Sequence, residues 1–466
     1  WAGITYDEGP DIGGPHAPYV QSARLDLYRK AADELLKNGG GYRCFCAPER
    51  LEEVREKQRA AKVAPKYDRA CTKLSQEEIE KMIAEKKPNV IRQRIPDDRG
   101  DVKWHDHVRG EVAFHVKDLD DQVLLKSDGF PTYHLANVVD DHDMEVTHVI
   151  RGEEWLSSTP KHILLYEAFD WKCPEFAHLP LLLNKDRSKL SKRQGDVAVE
   201  DYINKGYLKE ALINFVALLG WHPGTEELTD EERAARKGTA EKEIFSMDEL
   251  MEAFSVDRIH KAGAIFDVEK LDWMNWQWRR RLFFEDVQKH ARTLDENVRV
   301  EEPKPQHYVY HFASPAQQED FFKYRGEKLA EMCRELVPAD FFADEAFFRR
   351  ACLSIEEKIL QDPASAREHL GFYFKTEVTV PRELLLNEKM KVDEAIARRA
   401  LQAAHDSLQK YEKISSPEAV HECLTSLIQE LGVKNGQVLW PLRVALTGEQ
   451  FSPGVFEIIF ALGKEK

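Results

Sequence analysis

The chain has 466 residues, 42 % of them apolar and 32 % charged, and a formal net charge of -16. That length predicts roughly two to four domains with cores of their own. The acidic balance excludes indiscriminate adhesion to polyanions, and the absence of any run of about eighteen apolar residues excludes a predicted membrane-spanning helix.

The opening stretch "WAGITYDEGPDIGGPHAPYVQS" reads as the middle of a domain, not as a signal or transit peptide. Leu25, Tyr28, Ala32 and Leu35 recur at helical spacing before Gly39 to Gly41, which predicts an amphipathic helix within 19–36. "PERLEEVREKQRAAK" and "SQEEIEKMIAEKK" predict two charged helices, and "VIRQRI", "EVAFHV" and "QVLLKS" predict short strands. Seven cysteines, odd in number and mostly scattered, fit reduced thiols.

From Ser127 to Leu183 the pattern becomes turn, helix, strand, helix, strand, which is βαβ grammar. The second helix is predicted to open at Ser158 and Thr159 with a hydroxyl cap, Pro160 standing in its first turn. Beyond the strand "AHLPLLL" lies "NKDRSKLSKRQGD", with five basic residues between Lys185 and Arg193. Helical patterns then dominate, including a capping box at Ser246 and Glu249 and a last helix opened by Ser452 and Pro453. The polar run Gly224 to Glu243 reads as an exposed insertion.

Lys189 and Lys192 stand just past the carboxyl end of a predicted sheet strand, where open α/β sheets bind ligands. Two ammonium groups there suit a phosphate chain and the charge that builds on a leaving pyrophosphate. Arg151 ends the strand "VTHVI" and offers a fork suited to a carboxylate, while Tyr133 and Asn137 share a helix face. A carboxylate pocket beside a polyphosphate loop points to carboxylate activation by a nucleotide.

On those residues the chain resembles the bacterial-type glutamyl-tRNA synthetases, with "KLSKR" similar to their KMSKS-type loop. The resemblance runs through "THVIRGEEWLSSTPKHILLYEAF" and "AGAIFDVEKLDWMN" to "GQVLWPLRVALTG" and "SPGVFEIIFALGKE". It implies an α/β half followed by an all-α half. Residues 1–27 would be a remnant of the first half of a Rossmann-like catalytic domain, 28–132 an α/β acceptor-binding insertion, and 133–195 the second half of the catalytic domain. Residues 196–300 would be a helical stem-contact region and 301–466 a helical anticodon-binding domain. The scarcity of strand signals after about Ser314 separates this pattern from the β-barrel anticodon domains of glutaminyl enzymes.

The implied activity is ligation of L-glutamate to tRNA(Glu) through a glutamyl-adenylate, with ATP and its Mg2+ as substrate and tRNA(Gln) as a second candidate acceptor. By the same resemblance Lys189, Ser191, Lys192 and Arg193 form the catalytic loop, and Leu182 packs near the adenine. Arg151 holds a substrate carboxylate, Tyr133 and Asn137 orient the glutamate, and Trp155 walls the pocket. A monomer is expected, in a bacterial cytoplasm or, as the alternative, an organelle matrix.

Three departures qualify the match. No HIGH-type segment occurs, so the chain reads as N-terminally incomplete, and a catalytically silent tRNA-binding fragment is the alternative function. Cys44, Cys46 and Cys71 are similar to a zinc site of some members, but Lys73 stands where a fourth ligand is expected. With only Tyr67 or a water to substitute, zinc is disfavoured against three packed thiols. Asp140, Asp141 and His142 are adjacent on one helix and point apart, which argues against a metal. Arg279, Arg280 and Arg281 beside Trp273, Trp276 and Trp278 suit either RNA contacts or a helix with an aromatic core face.

Overall fold

The computed structural model describes residues 1–190, 198–223, 243–304, 307–375, 378–410, 414 and 416–463. Its contacts divide the chain into two compact units, residues 1–270 and 271–466.

The first unit begins with an extended segment that leads to α1 (Leu25–Asn38), which ends where Gly39 takes φ 82, a conformation open to glycine without strain. β1 (Gly41–Cys44), α2 (Pro48–Ala60), α3 (Gln76–Ala84), β2 (Val90–Gln93), β3 (Asp101–Asp106), β4 (Gly110–His115) and β5 (Val123–Leu125) follow. β1, β2 and β5 form an antiparallel sheet. α4 (Tyr133–Asp143), β6 (His148–Gly152), α5 (Thr159–Phe169) and β7 (Glu175–Leu179) make the expected βαβ unit, β6 and β7 pairing in parallel. Tyr28, Ala32 and Leu35 of α1 are fully buried against Leu135, Val138 and Val139 of α4 and Leu165 of α5. Each such large side chain contributes ~2 kcal/mol by leaving water.

β3 is the element that sequence patterning did not single out. It joins β7 in parallel and β4 in antiparallel, completing a four-stranded sheet in the order β4-β3-β7-β6. Val102, Trp104 and Asp106 face inward and Asp101, Lys103 and His105 outward, a period of two with a carboxylate at one core position. Pro180 separates β7 from β8 (Leu182–Leu183), which pairs in parallel with β9 (Ala264–Ile265). α6 (Val199–Asn204), α7 (Lys209–Leu218) and α8 (Met247–Ala253) also belong to this unit, α8 opening with the expected Ser246–Glu249 box.

Two predicted caps differ. The Ser158 hydroxyl makes no cap bond, and α5 starts on Thr159 and Pro160. The last helix begins at Val455 with Gly454 as its cap, so Ser452 and Pro453 lie outside it.

The second unit takes in α9 (Val268–Leu294) from Leu271 onward, then a hairpin of β10 (Arg299–Lys304) and β11 (His307–His311). α10 (Pro315–Cys333), α11 (Glu345–Ser354), α12 (Glu356–Gln361), α13 (Ala366–Leu370), α14 (Arg382–Leu385), α15 (Glu394–Leu408), α16 (Pro417–Leu431), α17 (Asn435–Thr447) and α18 (Val455–Leu462) follow. After His311 the only β-type pairing among the described residues is the isolated bridge Asn387–Val392. On α9, Trp278 is buried, and Arg279 donates to the Leu360 and Gln361 carbonyls at the end of α12. Arg280 pairs with Glu357 and Arg281 with Glu285. The arginine run therefore tethers helices within its own unit.

Candidate active site

The parallel ladder decides what stands beside Arg151. Arg151 and His178 are register partners on β6 and β7, and Asp106 of β3 is opposite Phe176 of β7. Three neighbouring strands thus deliver a chain of polar groups. Asp106 Oδ2 meets His178 Nδ1 at 2.5 Å, and His178 Nε2 lies 3.2 Å from Arg151 Nε. An arginine only donates, so His178 Nε2 accepts and its proton sits on Nδ1, facing the carboxylate. Asp106 and His178 are both fully buried.

Burial alone would raise the Asp106 pKa. The His178 bond, with backbone N–H donors from Arg109, His178 and Val108, outweighs that and brings it down to about 2. The carboxylate is charged at neutral pH and fixes the tautomer of His178.

The rest of the Arg151 guanidinium is held by neutral acceptors. Nη2 donates to Thr159 Oγ1 at 2.9 Å, and Nη1 lies 3.4 Å from the Tyr133 hydroxyl. His162 Nδ1 is 3.4 Å from Nη2, and His162 Nε2 meets His134 Nδ1 at 2.9 Å. Burial lowers both imidazoles, and the positive charge of Arg151 adds to it; His134 falls to about 4 and His162 well below its ordinary value. Among the described residues no carboxylate lies within ion-pair distance of Arg151. Its charge stays available to a substrate anion.

Around this centre α4 supplies Tyr133, whose ring lies 4.3 Å from that of Trp155, and Asn137 one turn on. Asn137 Nδ2 donates to Asp141 at 2.8 Å. Burial raises Asp141 to about 6 although Arg151 pulls the other way. Asp140 takes Arg24, Tyr28 and Gln21, and His142 stacks on Trp171 at 3.8 Å. The three consecutive residues therefore have three separate sets of partners. Arg24, 3 % exposed, also reaches Asp143 and the carbonyls of His16 and Pro18, which ties the N-terminal segment to α4.

The basic stretch starts as a tight turn. Asn184 N donates to the Ser188 carbonyl at 2.8 Å, and Leu190 N returns to the Leu182 carbonyl at 2.9 Å. Lys185 is held by Asp267 and Glu269, whereas the Lys189 side chain is exposed and among the described residues meets the half-exposed Glu154, at 3.6 Å. Leu182 is 37 % exposed, which leaves its side chain accessible beside the turn. Ser191, Lys192 and Arg193 lie outside the described residues.

A separate cluster forms where β1 meets the 70–73 turn. The sulfurs of Cys44, Cys46 and Cys71 lie within 4.8 Å of one another. The Tyr67 hydroxyl is 3.3 Å from Cys44 Sγ and 3.4 Å from Cys46 Sγ, so Tyr67, not Lys73, is the fourth group of the cluster. Hydrogen bonds from Cys71 and Tyr67 pull the Cys44 thiol below its ordinary value against burial. Three cysteine sulfurs are zinc donors, and the phenol oxygen occupies the fourth position without being one of the usual zinc ligands. They also pack with Tyr42, Leu74 and Val90 as a small apolar cluster.

Sequence reasoning named Arg151, Tyr133, Asn137 and Trp155; Tyr133 lies beside both Arg151 and Trp155, while Asn137, one turn further along α4, is bonded to Asp141. That reasoning passed over Asp106, Thr159, His162 and His178. The signal for Asp106 was an ionisable residue at an inward position of the alternation "DVKWHD".

Residues 1–273 match the family described as "tRNA synthetases class I (E and Q), catalytic domain", and residues 328–466 match "Anticodon binding domain". A glutamate–tRNA ligase of Chloroherpeton thalassium is 40 % identical over 477 residues, which span 100 % of this chain and 84 % of that protein. One from Clostridium botulinum is 40 % identical over 465 residues, with 100 % and 83 % covered. A crystal structure of a glutamate tRNA ligase from Elizabethkingia meningosepticum, in complex with its amino acid, matches with a TM-score of 0.72 and 31 % identity over 100 % of this chain and 85 % of that one. With a catalytic-domain match over more than half its length and relatives aligned along all of it, the chain belongs to the class I tRNA synthetases of the glutamate and glutamine group.

Proposed function

We propose that this protein ligates L-glutamate to the 3′ end of tRNA(Glu) in two steps. A carboxylate of glutamate attacks the α-phosphate of ATP and pyrophosphate leaves, giving glutamyl-adenylate. The terminal adenosine hydroxyl of the tRNA then takes the glutamyl group and AMP leaves. The observation that carries this reading is an arginine at a strand's carboxyl end, oriented by neutral acceptors, beside the turn that opens a lysine-rich loop.

A guanidinium clamped on the reacting carboxylate would restrain the nucleophile, so we assign the other, side-chain carboxylate of glutamate to Arg151. Tyr133 and Asn137 orient the amino acid and Trp155 walls it. Leu182 packs by the adenine. Lys189 and Lys192, with Ser191 and Arg193, neutralise the charge that develops on the pyrophosphate, which lowers the barrier only insofar as they bind the transition state better than ATP. Exchange of the weak Glu154 contact for phosphate oxygens would leave Lys189 little to lose.

Residues 28–132 are read as the acceptor-binding part, 196–300 as the stem-contact part and 301–466 as the anticodon-binding part, with 133–195 carrying the chemistry and 1–27 belonging to the same catalytic domain. A zinc ion at Cys44, Cys46, Cys71 and Tyr67 would tie β1 to the following turn and supply structure alone. The proposed state is a monomer in a bacterial cytoplasm, for which the relatives support the bacterial origin alone.

The test is attachment of labelled glutamate to purified tRNA(Glu) and tRNA(Gln), by this chain and by the full product of its reading frame. Charging of tRNA(Glu) is the expected result, and charging of tRNA(Gln) as well would mark a relaxed anticodon preference. Binding of tRNA without charging by either protein would replace this reading with that of an RNA-binding module.

A further inference from the structure

The sheet that carries Arg151 has a second polar cluster. His148 and Glu175 are register partners at the amino ends of β6 and β7, and the His107 N–H, just past β3, donates to the Phe176 carbonyl at 2.9 Å. Side chains alternate along a strand, so His148 and Glu175, three residues before Arg151 and His178, face the opposite side of the sheet. That side is open to solvent: His148 is 54 % and Glu175 61 % exposed.

His107 Nε2 lies 2.6 Å from Glu175 Oε2, and His148 Nε2 lies 3.6 Å from the same oxygen. The ligand atoms of all three residues fall within 4.8 Å of one another. We propose that His107, His148 and Glu175 bind one divalent transition-metal ion of the zinc, cobalt or nickel class. Ligand distances of about 2.0–2.1 Å put tetrahedral donors about 3.3 Å apart, between the two separations present. Two imidazoles and a carboxylate, two of them on paired strands and the third tied to β7 by its backbone N–H, are an N/O donor set with its backbone already fixed, and water would complete the coordination.

This donor set differs from the sulfur cluster at Cys44, Cys46 and Cys71. The site also lies apart from Arg151, on the other side of the sheet, so it serves to clamp the amino ends of β6 and β7 to the residue that follows the carboxyl end of β3, and supplies no group to adenylate chemistry. The neighbouring His105 is already engaged by Glu111 at 2.7 Å and is not a ligand.

Cobalt(II) titration of the chelator-treated protein tests the proposal, because thiolate ligands give an intense charge-transfer band that N/O ligands do not. Besides any equivalent that raises that band at the three thiols, one equivalent is expected to bind without it, at least about tenfold more weakly in His148→Gln and in His107→Gln, and nearly unchanged in His105→Gln. All three positions are on the solvent side, and a thermal melt of each variant without metal verifies the fold. Unchanged affinity in His148→Gln and His107→Gln would overturn the proposal. So would an equal loss in His105→Gln, which would indicate a diffuse histidine surface, or cobalt binding confined to the thiolate band.

Discussion

Asp106→Asn separates a positioning role from simple packing. In the native protein Asp106 Oδ1 takes three backbone N–H donors, while Oδ2 takes the His178 Nδ1 proton. An asparagine carbonyl can keep the three backbone bonds. Its amide group, however, presents N–H to His178 Nδ1, and two donors cannot face each other. His178 must move its proton to Nε2, which then opposes the Arg151 Nε–H.

Arg151 would lose one anchoring bond and gain a repulsive contact. A hydrogen bond to a charged group is worth about 1.5–3 kcal/mol, or roughly 10- to 150-fold in an equilibrium constant. The KM for glutamate should rise about 10- to 100-fold in Asp106→Asn with the KM for ATP held, measured by glutamate-dependent pyrophosphate exchange. Nitrogen NMR of His178 should show the proton moved to Nε2. The depressed Asp106 pKa adds a stability readout. Wild-type stability derived from this group, about 2 kcal/mol, is present above the ordinary value of 3.8 and is lost as pH falls toward about 2; the variant should lose that dependence. A native KM for glutamate with the tautomer switched would refute the argument that His178 positions Arg151.

Arg151→Gln removes the only proposed partner of a substrate carboxylate and should raise the glutamate KM by about 100-fold or more; native glutamate kinetics would dismiss the assignment. Lys192→Ala should slow adenylate formation by about two to three orders of magnitude with a smaller change in ATP affinity, read in single-turnover assays. An unchanged rate removes Lys192 from the chemistry. Asp141 has its pKa raised to about 6, so its charging costs stability progressively from about pH 4 and in full above pH 6. Asp141→Asn should therefore melt higher than wild type at pH 7.5 and equally at pH 4; an equal gain at both would show that charge is not the cause.

The elements that sequence exposed most clearly were those with local signals. α1 shows an apolar stripe and a glycine stop, α8 a capping box, and the βαβ unit its alternation of patterns. Arg151 was legible because a strand end followed by a turn has one orientation in a parallel sheet. The supporting groups were not, because their roles arise from register. Nothing in "FAHLP" says that His178 will sit opposite Arg151, and nothing in "WHDHV" says that β3 will run beside β7. Thr159 shows the same limit from the other side. Its place before Pro160 suggested helix capping, but its hydroxyl is taken by Arg151, His178 and the Trp155 carbonyl. A short polar side chain at a helix start has several uses, and tertiary neighbours choose among them.

The crevice thus solves an electrostatic problem with uncharged groups. A carboxylate paired directly with Arg151 would fix it firmly and would also compete with any anionic substrate. Here the anchoring charge is one imidazole away: Asp106 acts on Arg151 through a neutral His178, while Thr159, Tyr133 and His162 accept from the remaining N–H groups. The low pKa values of His134 and His162 belong to the same arrangement, since a protonated His162 would present a donor and a second positive charge to the guanidinium. Burial that keeps these imidazoles neutral at physiological pH therefore preserves both the geometry of Arg151 and its unspent charge, as the proposed pairing with a glutamate carboxylate requires.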